Sequence, residues 1–229
     1  MAQKKIDWKK YILLTGVLFL FPLALLLFFG KAGSHHFNTL PYYGPKTVDT
    51  TVVGDTIYHR LPDFSLTNQE GEIVTLDSLK GKVWLAAFYG TNSPYIRKIT
   101  SRLLWPNFRY RHESDIYLVC FTLDAEHDTP EVLKEYVDQM EQYNDYDGKW
   151  QFLTGDQEVI NEIVTDGFLI PDPTHTAKFK LVDTEGHIRG VYDGNLEEQI
   201  KDAIEDIALL KKEIDIEAYE ERKRADSGN

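Results

Sequence analysis

The sequence predicts an α/β domain, a central mixed sheet flanked by helices, behind one N-terminal membrane-spanning helix. Three observations carry this reading. Tyr11 to Phe29 is a run of 19 residues without a charge, rich in Leu and Phe. Val83–Tyr89 (VWLAAFY) and Asp115–Leu123 (DIYLVCFTL) have the length and apolar continuity of buried central strands. Between and after them lie segments with helix-start signals and apolar residues at helical spacing. Setting aside about 30 N-terminal residues leaves roughly 200 of the 229, enough for one sizeable core and few for two.

The N-terminal run comes first. At about 1.5 Å rise per residue, 19 residues just span a bilayer core. Lys4, Lys5, Lys9 and Lys10 precede it and only Lys31 follows closely. The positive-inside rule then keeps the N-terminus in the cytoplasm and puts the body on the periplasmic, outer side of the cytoplasmic membrane. Pro22 in mid-span is tolerated in a membrane helix. The competing reading is a cleaved signal peptide. The run exceeds the usual apolar core of about 7–15 residues, and Gly30-Lys31-Ala32 is a poor cleavage site, so an uncleaved anchor is expected. No cysteine follows the run, which excludes a bacterial lipoprotein. The predicted organisation is residues 1–10 cytoplasmic, 11–29 anchor, 30–60 tether, 61–211 globular domain and 212–229 charged helical tail. The tether is polar and turn-rich, with Pro41, Gly44 and Pro45.

Charge and cysteine content narrow the function. Lys and Arg number 25 against 37 Asp and Glu, a net charge of −12. Most of the charge before residue 32 is basic, so the body is more acidic than the total. That argues against nucleic acid as a partner, because phosphate binding needs a basic face. It gives no support to adhesion on anionic lipid. Cys120 is the one cysteine, which excludes an intrachain disulfide, a Cys-x-x-Cys redox pair and a cysteine-built zinc site.

The remaining elements follow in order. Ile73–Leu76 reads as a short strand after a turn at Gly71. Beyond Val83–Tyr89, Ser93 has the character of an N-cap and Pro94 of a first helical residue. Ile96, Ile99, Leu103 and Leu104 give helical spacing, with a kink expected near Pro106. After Asp115–Leu123, the segment Asp128-Thr129-Pro130-Glu131 opens a helix to about Tyr143, capped by Asp128 or Thr129. Asp156 opens another, to about Thr165. Ala177–Asp183 and His187–Tyr192 flank Thr184-Glu185-Gly186 as a hairpin. Asn195 with Glu198 starts a last helix whose apolar stripe is Ile200, Ile204, Ile207 and Leu210. Past Lys211 it is mostly charged and is expected to fray. This order is the outline of a thioredoxin-like domain with an added N-terminal hairpin.

Several stretches also carry a resemblance. Leu61-Pro62-Asp63-Phe64-Ser65-Leu66 and Leu79-Lys80-Gly81-Lys82 resemble the opening of thioredoxin-like proteins of the peroxiredoxin and Sco types. Asp124-Ala125-Glu126-His127-Asp128-Thr129-Pro130-Glu131-Val132-Leu133-Lys134-Glu135-Tyr136 is more specific and is similar to the Sco/SenC family, membrane-anchored copper chaperones of cytochrome c oxidase. Trp150-Gln151-Phe152-Leu153-Thr154-Gly155, and Thr174-His175-Thr176 before Leu181-Val182-Asp183, fit the same family. The likeness covers about Leu61 to Leu210.

The resemblance implies a copper site made of a Cys-x-x-x-Cys pair at the start of the first long helix and a distal histidine. Thiolates are soft ligands that suit Cu(I), and an imidazole completes the set. In the matching stretch Thr91–Lys98, the two cysteine positions fall on Ser93 and Arg97. Only the histidine position is kept, as His175. A protonated serine hydroxyl and a permanent guanidinium cation do not replace two thiolates. Thiol–disulfide exchange is excluded on the same ground.

His175 is therefore a lone family ligand position, read foremost as a loop histidine held by hydrogen bonds. Ser93 with His175 lacks a G-x-S-x-G elbow and a third member, so it is not read as a hydrolytic dyad. His35 and His36, with His59 downstream, are candidates for weak capture of Cu(II) or Zn(II), and Asp124 is a further site candidate. Cys120, between Val119 and Phe121, reads as a small buried hydrophobe. Asp145 and Asp147 beside Tyr143 and Tyr146 read as a solvated loop. The resemblance then implies a non-enzymatic binding module in respiratory-oxidase assembly or copper handling. Its partners would be oxidase subunits or other copper-handling proteins, with the membrane held through Tyr11–Phe29. No cofactor is expected at the usual site. The alternative is a copper carrier using His175 with ligands foreign to the family.

Overall fold

A computed structural model describes Trp8, Gly16, Leu18, Phe21 and residues 39–48, 56–141, 149–172 and 177–227. Met1–Asn38 and Thr39–Asn229 are separate compact units. In the first, Trp8, Leu18 and Phe21 are exposed. Among the described residues no helix is long and apolar enough to cross a membrane. The anchor expected over Tyr11–Phe29, like His35 and His36, lies almost wholly outside the described residues.

The second unit is built on a seven-stranded mixed sheet. A separate antiparallel pair, β1 (Lys46–Val48) and β2 (Thr56–Tyr58), precedes it. The sheet comprises β3 (Ser65–Asn68), β4 (Ile73–Thr75), β5 (Val83–Tyr89), β6 (Ile116–Thr122), β7 (Trp150–Thr154), β8 (Lys178–Val182) and β9 (Ile188–Asp193). Its order is β4-β3-β7-β6-β5-β8-β9. The helices are α1 (Ile96–Tyr110), α2 (Pro130–Glu141), α3 (Gln157–Glu162) and α4 (Glu197–Ser227). A π turn over Ile163–Gly167 extends α3. Pro106 lies inside α1, which continues past it to Tyr110.

β5 lies inside the sheet between β6 and β8, and every one of its residues is buried. It runs parallel to β6 from Val83↔Ile116 to Tyr89↔Thr122 and antiparallel to β8. Alternation along β5 and β6 divides the core in two. Leu85, Ala87, Leu118 and Cys120 face Leu103 of α1, Leu133 of α2 and Ile207 of α4. Trp84, Phe88, Val119 and Phe121 face Leu61, Leu76, Phe168 and Ile188. The expected mixed sheet covered on both faces is thus present, with β8 and β9 closing it as the expected hairpin.

Helix starts show which local signals won. Thr129 Oγ1 accepts the Val132 N–H at 3.4 Å and so serves α2. Asp128 is occupied elsewhere, as described below. Asp156 Oδ1 accepts from Glu158 N at 2.9 Å and Val159 N at 3.2 Å, the expected cap of α3. Replacing Asp156 with alanine is expected to cost about 1 kcal/mol, read as a lowered midpoint in urea denaturation. Asn195 does not cap α4, which begins two residues later. Its Oδ1 instead accepts from Lys98 Nζ at 2.8 Å.

Two expectations are corrected. The C-terminal tail does not fray at Lys211, since α4 runs on to Ser227. Ile214 packs on the core, and Arg224 pairs with Glu220 one turn earlier at 3.2 Å. Nor are residues 39–48 and 56–60, which fall in the expected tether, merely a tether. Leu40 is buried, its N–H donating to Glu213 Oε2 at 3.2 Å and its carbonyl accepting from Arg189 Nη2 at 2.7 Å. Tyr42 stacks on Tyr58 with centroids 4.0 Å apart, and Tyr43 N donates to Ile188 O at 2.9 Å. Turn residues dominate this stretch, but a few apolar and aromatic side chains find partners far away in sequence.

Candidate functional site

β5 and β6 are parallel neighbours, and the loops leaving their carboxyl ends meet. Such ends are where open α/β sheets place their sites. The first loop is Gly90–Tyr95 and the second Leu123–Thr129. Asp128 joins them and is fully buried. It accepts hydrogen bonds from the Thr91 amide, 3.3 Å and 3.1 Å from its two oxygens, and from the Thr91 hydroxyl. The Thr122 hydroxyl at the end of β6 donates to its other oxygen. Thr122 Oγ1 in turn accepts the Asp124 N–H at 3.1 Å. Asn92 Nδ2 donates to Asp124 Oδ2 at 2.9 Å, a second link between the loops. The two loops pass so closely that a Cβ built on Gly90 would lie 3.3 Å from Asn92 Oδ1 and 3.5 Å from Asp124 Cβ.

His127 sits on the rim of this network. Its Nδ1 is 2.9 Å from Asp128 Oδ1 and 3.3 Å from Thr91 Oγ1. The hydrogen bond to Asp128, with the charges of Asp128 and Asp124, raises its pKa above the ordinary 6.5. A raised folded-state pKa means that protonated His127 stabilises the fold. That contribution is complete below the unfolded value and is lost as pH rises through the folded one. The melting-temperature difference between the protein and His127→Gln is therefore expected to shrink as pH rises above 6.5. A difference independent of pH would refute the linkage.

Ser93 and Arg97, where the resemblance places the family's two cysteines, lie beside this network. α1 begins at Ile96, and no side chain caps it. Ser93 is not the expected N-cap. It lies in the turn before the helix, where its carbonyl accepts the Ile96 N–H at 3.1 Å and its Oγ the Tyr95 N–H at 3.3 Å. Arg97 is exposed in the first turn of α1.

The other candidates lie apart. His59 Nε2 is 2.7 Å from the Gly167 carbonyl, a contact between the N-terminal segment and the π turn. His175, like His35 and His36, is outside the described residues. Of the predicted set, among the described residues, Ser93 and Asp124 lie on the two joined loops and Arg97 in the helix turn directly after the first of them. The residues that organise the site, Thr91, Thr122, His127 and Asp128, were not singled out for it. The available signal was a polar run directly after a buried parallel strand.

The donor set does not fit a thiolate-held metal. Among the described residues no three His, Cys, Asp or Glu side chains are placed to hold a metal ion. Cys120 is in the middle of β6 and fully buried, and its Sγ accepts Trp150 Nε1–H at 3.0 Å. Burial pushes its thiol up to about 12, so it stays protonated at neutral pH.

Comparison with known proteins accounts for the arrangement. Residues 57–211 match the SCO1/SenC family model. The SCO1 protein homolog of Bacillus subtilis is 30% identical over 166 residues, covering 68% of this chain and 84% of that protein. Among solved structures, BsSco is 30% identical with a TM-score of 0.57, over 68% of this chain and 95% of that one. It is a member of the Sco family of cytochrome c oxidase assembly proteins and has a disulfide switch. A SCO1/SenC family lipoprotein of Bacillus anthracis is 28% identical with a TM-score of 0.59, over 67% and 95% of the two chains. With a family model spanning most of the chain and the same thioredoxin-like sheet beneath both loops, this protein belongs to the SCO1/SenC family.

Proposed function

We propose that this protein is a membrane-anchored, non-catalytic binding module acting in cytochrome c oxidase assembly or copper handling. It engages protein partners through a Sco-type scaffold and does not carry copper on a cysteine pair. One observation bears most of the weight. The loop and helix start that hold the family's two cysteine positions present Ser93 and the exposed cation Arg97, while the one thiol is sealed in the core. Cu(I) prefers soft, deprotonated sulfur, and neither residue offers it. The scaffold around those positions is nonetheless built with care. The buried Asp128 still ties the two loops together, which suits a surface that must keep its shape for a partner.

The anchor at Tyr11–Phe29, with the globular unit on the outer side, belongs to the same proposal. It is supported by the uncharged run and the lysines before it. Protease added to spheroplasts is expected to degrade the globular unit. Full protection would reverse the topology.

The decisive experiment is a challenge of the purified full chain with a Cu(I) chelator. The expected result is that no stoichiometric copper survives. Tight retention of one ion per chain would favour the carrier alternative, with His175 among its ligands, and His175→Ala would then abolish it.

A further inference from the structure

The outer face of α1 is the feature left unused by this reading. Residues 96–112 contain five of the chain's 25 Lys and Arg, at 97, 98, 102, 109 and 111, and no Asp or Glu. The chain as a whole, these five included, carries a net charge of −12. Helical geometry gathers them. At about 100° per residue, Arg97, Ser101, Trp105 and Phe108 fall along one stripe, with Lys98 and Arg109 beside it. The opposite side, with Ile96, Ile99, Leu103 and Tyr110, is buried in the core. On the stripe, Trp105 is 42% and Phe108 66% exposed. Their rings lie among cations, with Lys201 Nζ 5.8 Å from the Trp105 ring centroid and the Arg111 guanidinium 4.7 Å from that of Phe108. Arg102 pairs with Glu197 at 3.4 Å, and Lys98 is held by the neutral Asn195. Arg97 and Arg109 stand exposed. The stripe continues at its N-terminal end into Tyr95, 51% exposed, and so into the Gly90–Tyr95 loop.

We infer that this stripe is the docking face for an acidic, leucine- or aromatic-containing segment of a partner protein. It rests on the binding-module reading and supplies the chemistry of the partner. Charge complementarity selects the occupant. Surface aromatics flanked by arginines are the side chains that dominate protein interfaces. A short acidic segment laid along α1 meets mainly the basic stripe, with the nearby Glu197 carboxylate already paired to Arg102, because salt screens charges beyond about 8 Å at physiological ionic strength. An anionic bilayer is a broad plane that must also approach the acidic body, so a lipid occupant is disfavoured.

The test uses the full chain in neutral detergent and a fluorescent peptide of Glu-Glu-Leu repeats, with a Lys-Lys-Leu peptide as its opposite. The acidic peptide is expected to bind, and to bind more weakly as salt rises from about 50 to about 300 mM. The basic peptide is expected not to bind. The charge reversal Arg97→Glu with Arg109→Glu is expected to weaken binding by at least about tenfold. Lys80→Glu with Lys223→Glu changes total charge equally, away from the stripe, and is expected to leave binding within about twofold. Phe108→Ser keeps every cation and is expected to lose severalfold, with circular dichroism reporting that each variant is folded.

Equal affinity in the two charge-reversed proteins would overturn the proposal, as would absence of binding up to about 1 mM peptide at low salt. In nanodiscs, hydrogen exchange over residues 96–112 slowed by phosphatidylglycerol but not by the peptide would assign the stripe to lipid and also overturn it. Copper retention is measured separately, so failure of the docking face and failure of the non-metal reading are told apart.

Discussion

Arg189→Leu is expected to destabilise the globular unit by about 3–5 kcal/mol, the loss typical when one partner of a buried ion pair is removed. The arginine side chain is 3% exposed, and its two carboxylate partners, Asp183 and Glu213, are 6% and 9% exposed. Nη1 lies 3.3 Å from Asp183 Oδ2, and Nη2 lies 2.5 Å from Glu213 Oε1. Nη2 also donates to the Leu40 carbonyl at 2.7 Å, and the guanidinium lies 4.0 Å from the centroid of Tyr42. One side chain thus joins the N-terminal segment, β9 and α4. Its removal leaves two buried carboxylates without their cation and an unpartnered carbonyl. Asp183 keeps the Glu185 and His187 amides and Glu213 keeps the Leu40 amide, but the guanidinium that offset their desolvation is gone. Arg189→Lys is expected to recover little, because an ammonium lacks the planar fork that meets three acceptors. Arg189→Met with Glu213→Leu is expected to lose less than the single change, since one stranded charge is removed with its partner. Denaturant unfolding of the four proteins reads all of this. A loss below about 1 kcal/mol for Arg189→Leu would mean that water reaches the cluster.

The second large effect is a gain. Ser93→Cys with Arg97→Cys is expected to turn a chain that surrenders Cu(I) to a chelator into one that keeps one ion. The substitution removes a permanent cation and supplies two soft donors four residues apart at the start of α1. The helix N-terminus lowers the pKa of a thiol placed in its first turn. That benefit is greater at position 97, inside α1, than at position 93, which precedes it by a turn. The check is the same chelator competition, run on parent and double variant. Failure of the double variant to hold copper would show that the loop fixed by Thr91 and Asp128 has left the geometry of a metal site, beyond the loss of its ligands.

The parts legible in the sequence were those governed by local pattern. β5 and β6 announced themselves because both faces of each are covered, so nearly every residue is apolar. Asp156 could be read as a cap because the bond it makes is two and three residues away. Asn195 carries the same chemistry but is recruited by Lys98, while Ser93 takes the Tyr95 N–H in the turn before α1, and the helices after both start later. The packing of residues 39–48 was hidden for the opposite reason. Leu40, Tyr42 and Tyr43 are anchors only because Glu213, Arg189 and Ile188 come to them through the fold. The site divided in the same way. That the chain holds a single cysteine was plain from residue identity alone. The role of Asp128 as a bridge to Thr91 was not, because 37 residues separate the two and a local capping role was the nearer explanation.

The contact between Leu40 and Glu213 also sets a schedule for folding. The two residues are 173 positions apart. At roughly 5–20 residues per second, an N-terminal segment that has been synthesised waits about 10–35 s for its partner to be made. β3 waits as well, because it enters the sheet through β7, as in the pair Asn68↔Leu153. β5 and β6 can pair much earlier, so the sheet grows outward from its centre while the segment made first is the last to be fastened. Until then the β3–β4 hairpin and the Tyr42 region offer unpaired edges and bare aromatic rings. Any protein that shields newly made chains has its longest opportunity on this molecule there.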